Sequence, residues 1–151
     1  AFNAWVLSKS LETLSIRMER HCENALQVAK FLEGKPGIKK VKYPFLESHP
    51  QYDIAKKQMR AGGGIVAFSL SGGLEAGAKF MDNLSMIKIS PNLGDSRTIA
   101  THPASSTHCK LTEEERLAVG IDDGLIRISV GLEHIDDIIA DISKAISNSI
   151  K

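Results

Sequence analysis

The chain has only two cysteines, Cys22 and Cys109, among its 151 residues. Two thiols cannot form a disulfide framework, so the expectation is a reduced, cytoplasmic protein stabilised by its core. Aromatic residues make up 5% of the chain, too few for the stacking platforms that single-stranded nucleic acids require. Excess charge of one sign is also lacking: 19 Lys and Arg stand against 18 Asp and Glu, a formal net charge of +1. With no basic block interleaved with aromatics, nothing favours nucleic acid as a partner. No apolar run approaches the roughly 18 residues that span a bilayer, and no charged-then-apolar leader opens the chain, so no membrane association is expected. Metal-ligand spacings such as CxxC or HExxH are missing, which leaves His102, His108, Cys109 and His134 scattered. Ser105 and Ser106 lie near two histidines but outside any nucleophile elbow. The Gly62-Gly63-Gly64 triplet precedes a strand, whereas a phosphate loop needs its glycines between a strand and a helix.

What is present is one domain's worth of chain with an α/β pattern. Leu7, Leu11, Leu14, Met18, Cys22, Ala25, Ala29 and Leu32 recur at spacings of three and four, which predicts one long amphipathic helix ended by Gly34, Pro36 and Gly37. Ile38 to Tyr43 reads as an edge strand with Lys40 and Lys42 outward. A short helix follows Pro50 and reaches about Arg60. IVAFSL after the glycine triplet reads as an interior strand, Leu74 to about Leu84 as a helix, and Met86 to Ile89 as a third strand. Thr112 and Glu115 have the spacing of a capping box. The stripe Ile135, Ile138, Ile139, Ile142 and Ile146 predicts a last helix with acidic residues at its positive end. Together with the run Leu125 to Val130 this makes about four strands covered by helices, an open α/β sandwich whose strand directions the pattern leaves open. The opening at Ala1 with AFNAW, without an initiator Met, points to a piece of a longer polypeptide.

Function is most legible in Pro91 to His108, PNLGDSRTIATHPASSTH, taken with Arg127. The segment is polar and punctuated by Gly and Pro, and loops on a rigid scaffold are where binding groups concentrate. In LIRISV, Ile126, Ile128 and Val130 share one face while Leu125, Arg127 and Ser129 share the other. An arginine flanked by apolar residues in mid-strand needs a partner, and a planar carboxylate suits its fork. Two readings stay open: an internal salt bridge to Asp95, Asp122 or Asp123, or a bound carboxylate ligand with the loop around Asn92 supplying further donors.

The motifs NLGDSRTIATHPASSTH and GLIRISVGLEHIDDIIADI, with AFNAWVLSKSLETLSIRMERHCENA and SHPQYDIAKKQ in the same order, resemble the pyridoxal-phosphate (PLP) enzymes of cysteine and methionine metabolism. The resemblance covers essentially all 151 residues. It implies the small C-terminal domain of a fold-type I PLP-dependent transferase, with residues 1–33 as a long connecting helix and 34–151 as the substrate-carboxylate-binding domain. It further implies that Arg127 and Asn92 hold the α-carboxylate of an amino-acid substrate, with Thr107 lining the same pocket. The asparagine, where many lyases of the family have serine, is more similar to the sulfhydrylases, especially the O-succinylhomoserine type. These replace the acyl group of O-succinyl- or O-acetylhomoserine by sulfide. Cystathionine γ-synthase, cystathionine γ-lyase and methionine γ-lyase are the alternatives within the family, and a free-standing amino-acid-binding domain is the alternative outside it. No lysine here has the family's Ser-x-Thr-Lys context, so the PLP is expected on a missing large domain of a homotetrameric parent, and the chain alone is expected to be inactive.

Overall fold

The computed structural model describes residues 1–150. Its centre is a mixed five-stranded sheet of order β1-β2-β5-β4-β3, built from β1 (Ile38–Lys42), β2 (Ile65–Leu70), β3 (Lys88–Ile89), β4 (Ile99–Thr101) and β5 (Leu125–Ser129). Only the β3–β4 pair is parallel. Helices α1 (Phe2–Leu11), α2 (Leu14–Leu32), α3 (Tyr52–Gln58), α4 (Gly73–Asp82), α5 (Glu113–Ala118) and α6 (Ile135–Ser149) complete the chain.

Side-chain alternation along the strands sorts the sheet into two unlike faces. Val66, Phe68 and Leu70 of β2, Ala100 of β4, and Ile126 and Ile128 of β5 join Val130 in one core with Ala25, Val28, Ala29 and Leu32 of α2, Phe80 of α4, and Ile138, Ile142 and Ala145 of α6. Burying these apolar groups between sheet and helices is the principal stabilising term. The opposite face carries Ala67, Ser69, Leu125, Arg127, Ser129 and Thr101, which share it through the pairings Ala67–Arg127, Ser69–Leu125 and Thr101–Arg127. β1 is an edge strand, as the sequence predicts, and its exposed Lys39 and Lys40 discourage further pairing.

Two expectations are corrected. The sheet has five strands, not about four, because Ile99–Thr101 inside the polar Pro91–His108 segment forms β4, followed by a 3-10 turn over Pro103–Ser105. A three-residue strand is too short to show a period in the sequence. The single long helix expected over residues 1–33 is interrupted at Glu12 and Thr13. There the Ser10 carbonyl accepts from Arg17 Nη2 at 2.7 Å, and the Ser10 hydroxyl donates back to the Val6 carbonyl at 2.8 Å, side-chain bonds of the kind that compete with the helical ladder.

The buried face of α2 also differs from the expected stripe. Its buried residues are His21, Asn24, Ala25, Val28, Ala29 and Leu32, whereas Leu7, Leu11, Leu14 and Met18 are exposed. Two polar side chains go inside because the chain leaving β5 presents carbonyls to them. His21 Nδ1 donates to the Val130 carbonyl at 2.6 Å, and Asn24 Nδ2 donates to those of Gly131 and Glu133, both at 3.0 Å. The helix thereby satisfies backbone that would otherwise be stranded.

Asp141 does the same for residues 85–87. This α6 carboxylate, 7% exposed, accepts from the amides of Ser85 at 2.9 Å, Met86 at 3.0 Å and Ile87 at 2.9 Å. Removing it strands three donors beside α6, so Asp141→Ala should lower the unfolding free energy by on the order of 3 kcal/mol, and Asp141→Asn by less. Chemical denaturation measures this, and a loss below about 0.5 kcal/mol for the alanine variant would mean that these amides do not depend on the carboxylate.

Candidate functional site

Arg127 sits at the middle of β5 with short neighbours on both sides, Ala67 on β2 and Thr101 on β4. That leaves its guanidinium room on the face away from the helix layer. Nη2 donates to the carbonyl of Pro91 at 2.6 Å and makes a longer contact to that of Asn92 at 3.4 Å. Nε is buried and has no partner. No carboxylate pairs with Arg127 among the described residues.

The three aspartates that could have neutralised it are engaged elsewhere. Asp95 pairs with Arg97 at 3.0 Å and Asp123 with Arg116 at 2.6 Å. Asp122 accepts from the Ser69 hydroxyl at 2.6 Å and from the Gly124 amide at 3.0 Å. The internal salt bridge left open by the sequence is therefore not made. Arg127 is a half-buried cation resting on neutral carbonyls, a state that a carboxylate ligand would complete.

The loop over Arg127 is pinned to the chain that leaves β5. Gly94 donates its amide to Ser129 Oγ at 2.9 Å, and Leu132 donates to the Ser96 carbonyl at 2.8 Å. Thr98 gives both its amide, at 2.6 Å, and its hydroxyl, at 2.8 Å, to the Glu133 carboxylate. Its hydroxyl oxygen in turn accepts from the Gly131 amide at 2.8 Å. Residues 94–98 are thus held at three points by residues 129–133, directly after the Pro91 and Asn92 carbonyls that meet the guanidinium. Sequence reasoning missed Ser129 and Glu133 in this role. Ser129 could have been found from its two-residue spacing to Arg127 on one strand face.

Of the residues expected at the site, the structure brings Arg127 and Asn92 together, although through the Asn92 carbonyl. Its side-chain amide is exposed and makes no hydrogen bond among the described residues. Thr107 is exposed, and its hydroxyl meets His108 Nδ1 at 2.8 Å, not Arg127 or Asn92. It follows Ser106, whose Oγ lies 3.1 Å from Thr101 Oγ1, the cross-strand neighbour of Arg127.

Beyond the loop, an apolar recess of about 350 Å³ is lined by Leu14, Met18, His21, Ile65, Leu93 and Ser129, with other residues of the same segments. Among the described residues there is no group of three or more His, Cys, Asp or Glu that could hold a metal ion, and no helix long and apolar enough to cross a membrane.

The chain belongs to the family described as Cys/Met metabolism PLP-dependent enzymes, whose model matches residues 1–147. It is 49% identical over 149 residues to the L-methionine gamma-lyase of Porphyromonas gingivalis, covering 99% of this chain and 37% of that protein. It is also 49% identical over 151 residues to the O-succinylhomoserine sulfhydrylase of Mycobacterium tuberculosis, covering 97% of this chain and 37% of the relative. The crystal structure of a putative O-acetylhomoserine (thiol)-lyase from Campylobacter jejuni, which contains N'-pyridoxyl-lysine-5'-monophosphate, superposes with a TM-score of 0.89 at 41% identity, over 96% of this chain and 35% of that one. The chain therefore spans little more than a third of the length of the relatives it matches.

The family's cofactor is PLP. A lysine that forms a Schiff base is tuned by desolvation, yet no described lysine is buried. The most sheltered are otherwise occupied: Lys42 donates to the Gly120 carbonyl at 2.9 Å and Lys35 lies 4.2 Å over the Phe31 ring. Among the described residues no lysine is sheltered in the way such a Schiff base requires.

The Asp95–Arg97 pair makes the loop sensitive to acid. Hydrogen bonds from the Arg97 side chain and amide hold the Asp95 carboxyl down at about 2. A depressed folded value means that the pair's contribution is present above the ordinary carboxylate range and is lost as pH falls through about 2. Carboxyl carbon NMR should place the Asp95 midpoint near that value at low salt. Added salt should raise it, because the Arg97 side chain is 67% exposed. A midpoint at the ordinary aspartate position would show that the pair does not hold in solution.

Proposed function

We propose that this chain forms the substrate-carboxylate-binding part of a PLP-dependent enzyme that replaces the acyl group of O-succinyl- or O-acetylhomoserine by sulfide, giving homocysteine. The observation that carries the reading is Arg127, a half-buried guanidinium whose local aspartates are all committed to other partners. When bound, PLP supplies the electron sink for such chemistry. The share of this chain is to bind and orient. Arg127 presents a planar fork to the α-carboxylate, and the side-chain amide of Asn92, which has no hydrogen bond among the described residues, is proposed as a further donor. Thr107 belongs to the same proposal as a residue lining the pocket, as does assembly of the full-length parent into a homotetramer. By itself the chain is proposed to be inactive.

A second reading within the family, methionine γ-elimination, is favoured by the equal identity to an L-methionine gamma-lyase. Asn92 is what inclines the choice toward the sulfhydrylases. Steady-state kinetics of the full-length polypeptide decide between them. The expected order is a higher kcat/KM for acyl-homoserine plus sulfide than for methionine elimination, and the reverse order would establish the lyase reading.

The role of Arg127 has its own test. Removing one partner of a partly buried charge pair costs on the order of 2–5 kcal/mol. Arg127→Ala in the full-length enzyme should therefore lower kcat/KM by roughly 30-fold or more, mainly through KM. Arg127→Lys keeps the charge without the planar fork and should recover only part of the loss. Unchanged kinetics with a lowered melting temperature would make the residue structural.

A further inference from the structure

Helix α5 is an odd piece of this fold. Its six residues begin with a complete capping box between Thr112 and Glu115, yet none of them is buried. Leu117 and Val119 remain 53% and 62% exposed. The helix therefore adds nothing to the core, and its one inward anchor is Arg116, whose side chain is only 12% exposed.

Arg116 starts a connected set of polar contacts. Nη2 donates to Asp123 Oδ1 at 2.6 Å, and Nη1 donates to the Leu111 carbonyl at 2.7 Å. The Asp123 backbone carbonyl lies 2.7 Å from His102 Nε2. A carbonyl only accepts, so Nε2 donates to it. Nδ1 lies 2.8 Å from the Ser105 hydroxyl. The Ser106 hydroxyl donates to the His102 carbonyl at 2.7 Å, which leaves Ser106 Oγ to accept from Thr101 Oγ1 at 3.1 Å. His102 itself is 2% exposed. Its ring fills the space where a side chain on Gly77 of α4 would begin, so any larger residue there would displace it.

The set reaches the strand that carries Arg127 at two points. Asp123 stands in the turn that starts β5, four residues before Arg127. Ser106 is bonded to Thr101, which pairs with Arg127 across the sheet, and it immediately precedes Thr107. We propose that Arg116 is a positioning residue for the carboxylate clamp: through Asp123 and His102 it holds the 102–107 segment in place against the strand that carries Arg127. This rests on the reading of Arg127 as the group that binds the substrate carboxylate.

The test compares Arg116→Gln, Arg116→Lys, Ser105→Ala and Arg127→Ala in the full-length, cofactor-loaded enzyme. Each is assayed for KM and kcat, and for inhibition by an unreactive amino-acid analogue and by the corresponding amine that lacks the carboxylate. Misplacing a binding group from a distance commonly costs an order of magnitude or more, so Arg116→Gln should raise KM by about 10-fold with kcat changed far less. Inhibition by the amino acid should weaken by a similar factor while inhibition by the amine stays the same. Arg116→Lys can keep the Asp123 pair but not the Leu111 contact as well, and should recover part of the loss. Equal weakening of both inhibitors, or an unchanged KM, overturns the positioning role. Should Arg116→Gln not yield folded protein, Ser105→Ala deletes only the hydroxyl on His102 Nδ1 and is judged by the same ratio of the two inhibition constants. Discrimination lost in Arg127→Ala but kept in the Arg116 and Ser105 variants sinks this inference alone. Discrimination kept in Arg127→Ala sinks the clamp and the positioning role together.

Discussion

Strand β5 is buried on both sides and nevertheless carries a cation, and most of the molecule is arranged around that constraint. One parity of the strand, Ile126 and Ile128, is fully buried against the helix layer. The other parity places Leu125, Arg127 and Ser129 toward the loops. Taking a guanidinium out of water is costly unless its donors are met. Here two carbonyls meet part of the demand and none of the charge. A guanidinium in that condition differs from one held in a structural ion pair, because its charge is left without a counterpart among the described residues.

The loop over Arg127 gains its order from the same strand. Glu133 does two jobs through its oxygens, meeting the Thr98 amide and hydroxyl. Its own backbone carbonyl is taken by Asn24 of α2. The contact path runs from a core helix, through the chain leaving β5, to the loop whose carbonyls touch the guanidinium. Preorganisation of this kind lowers the ordering cost that a ligand would otherwise meet on binding.

Much of this was legible in the sequence, and the exceptions have physical causes. Period-two alternation gave the two faces of β5, and the Thr112–Glu115 spacing gave a cap that the structure contains in full. The motifs gave the family. The buried face of α2 was misread because His21 and Asn24 look like surface residues until the carbonyls they satisfy are brought near by a segment more than a hundred positions away. Strand β4 was hidden in a polar segment because three residues carry no period. Whether Arg127 was paired internally could not be decided from spacing, since Asp95, Asp122 and Asp123 were all plausible partners. Only the geometry shows each of them engaged with another group. His102 and Arg116 gave no signal beyond their residue types, because their significance lies in which backbone carbonyls they reach.

The break at Glu12 and Thr13 turns α1 into a lever. Ten helical residues extend roughly 15 Å at the usual rise, and none of them is buried against the rest of the domain. A rotation of about 20° at the break therefore swings the far end by about 5 Å. Phe2, Trp5, Leu7 and Leu11 are carried along that arm with most of their surface bare. No α1 residue is buried against the sheet or its loops, so the core described above does not fix the angle of the arm.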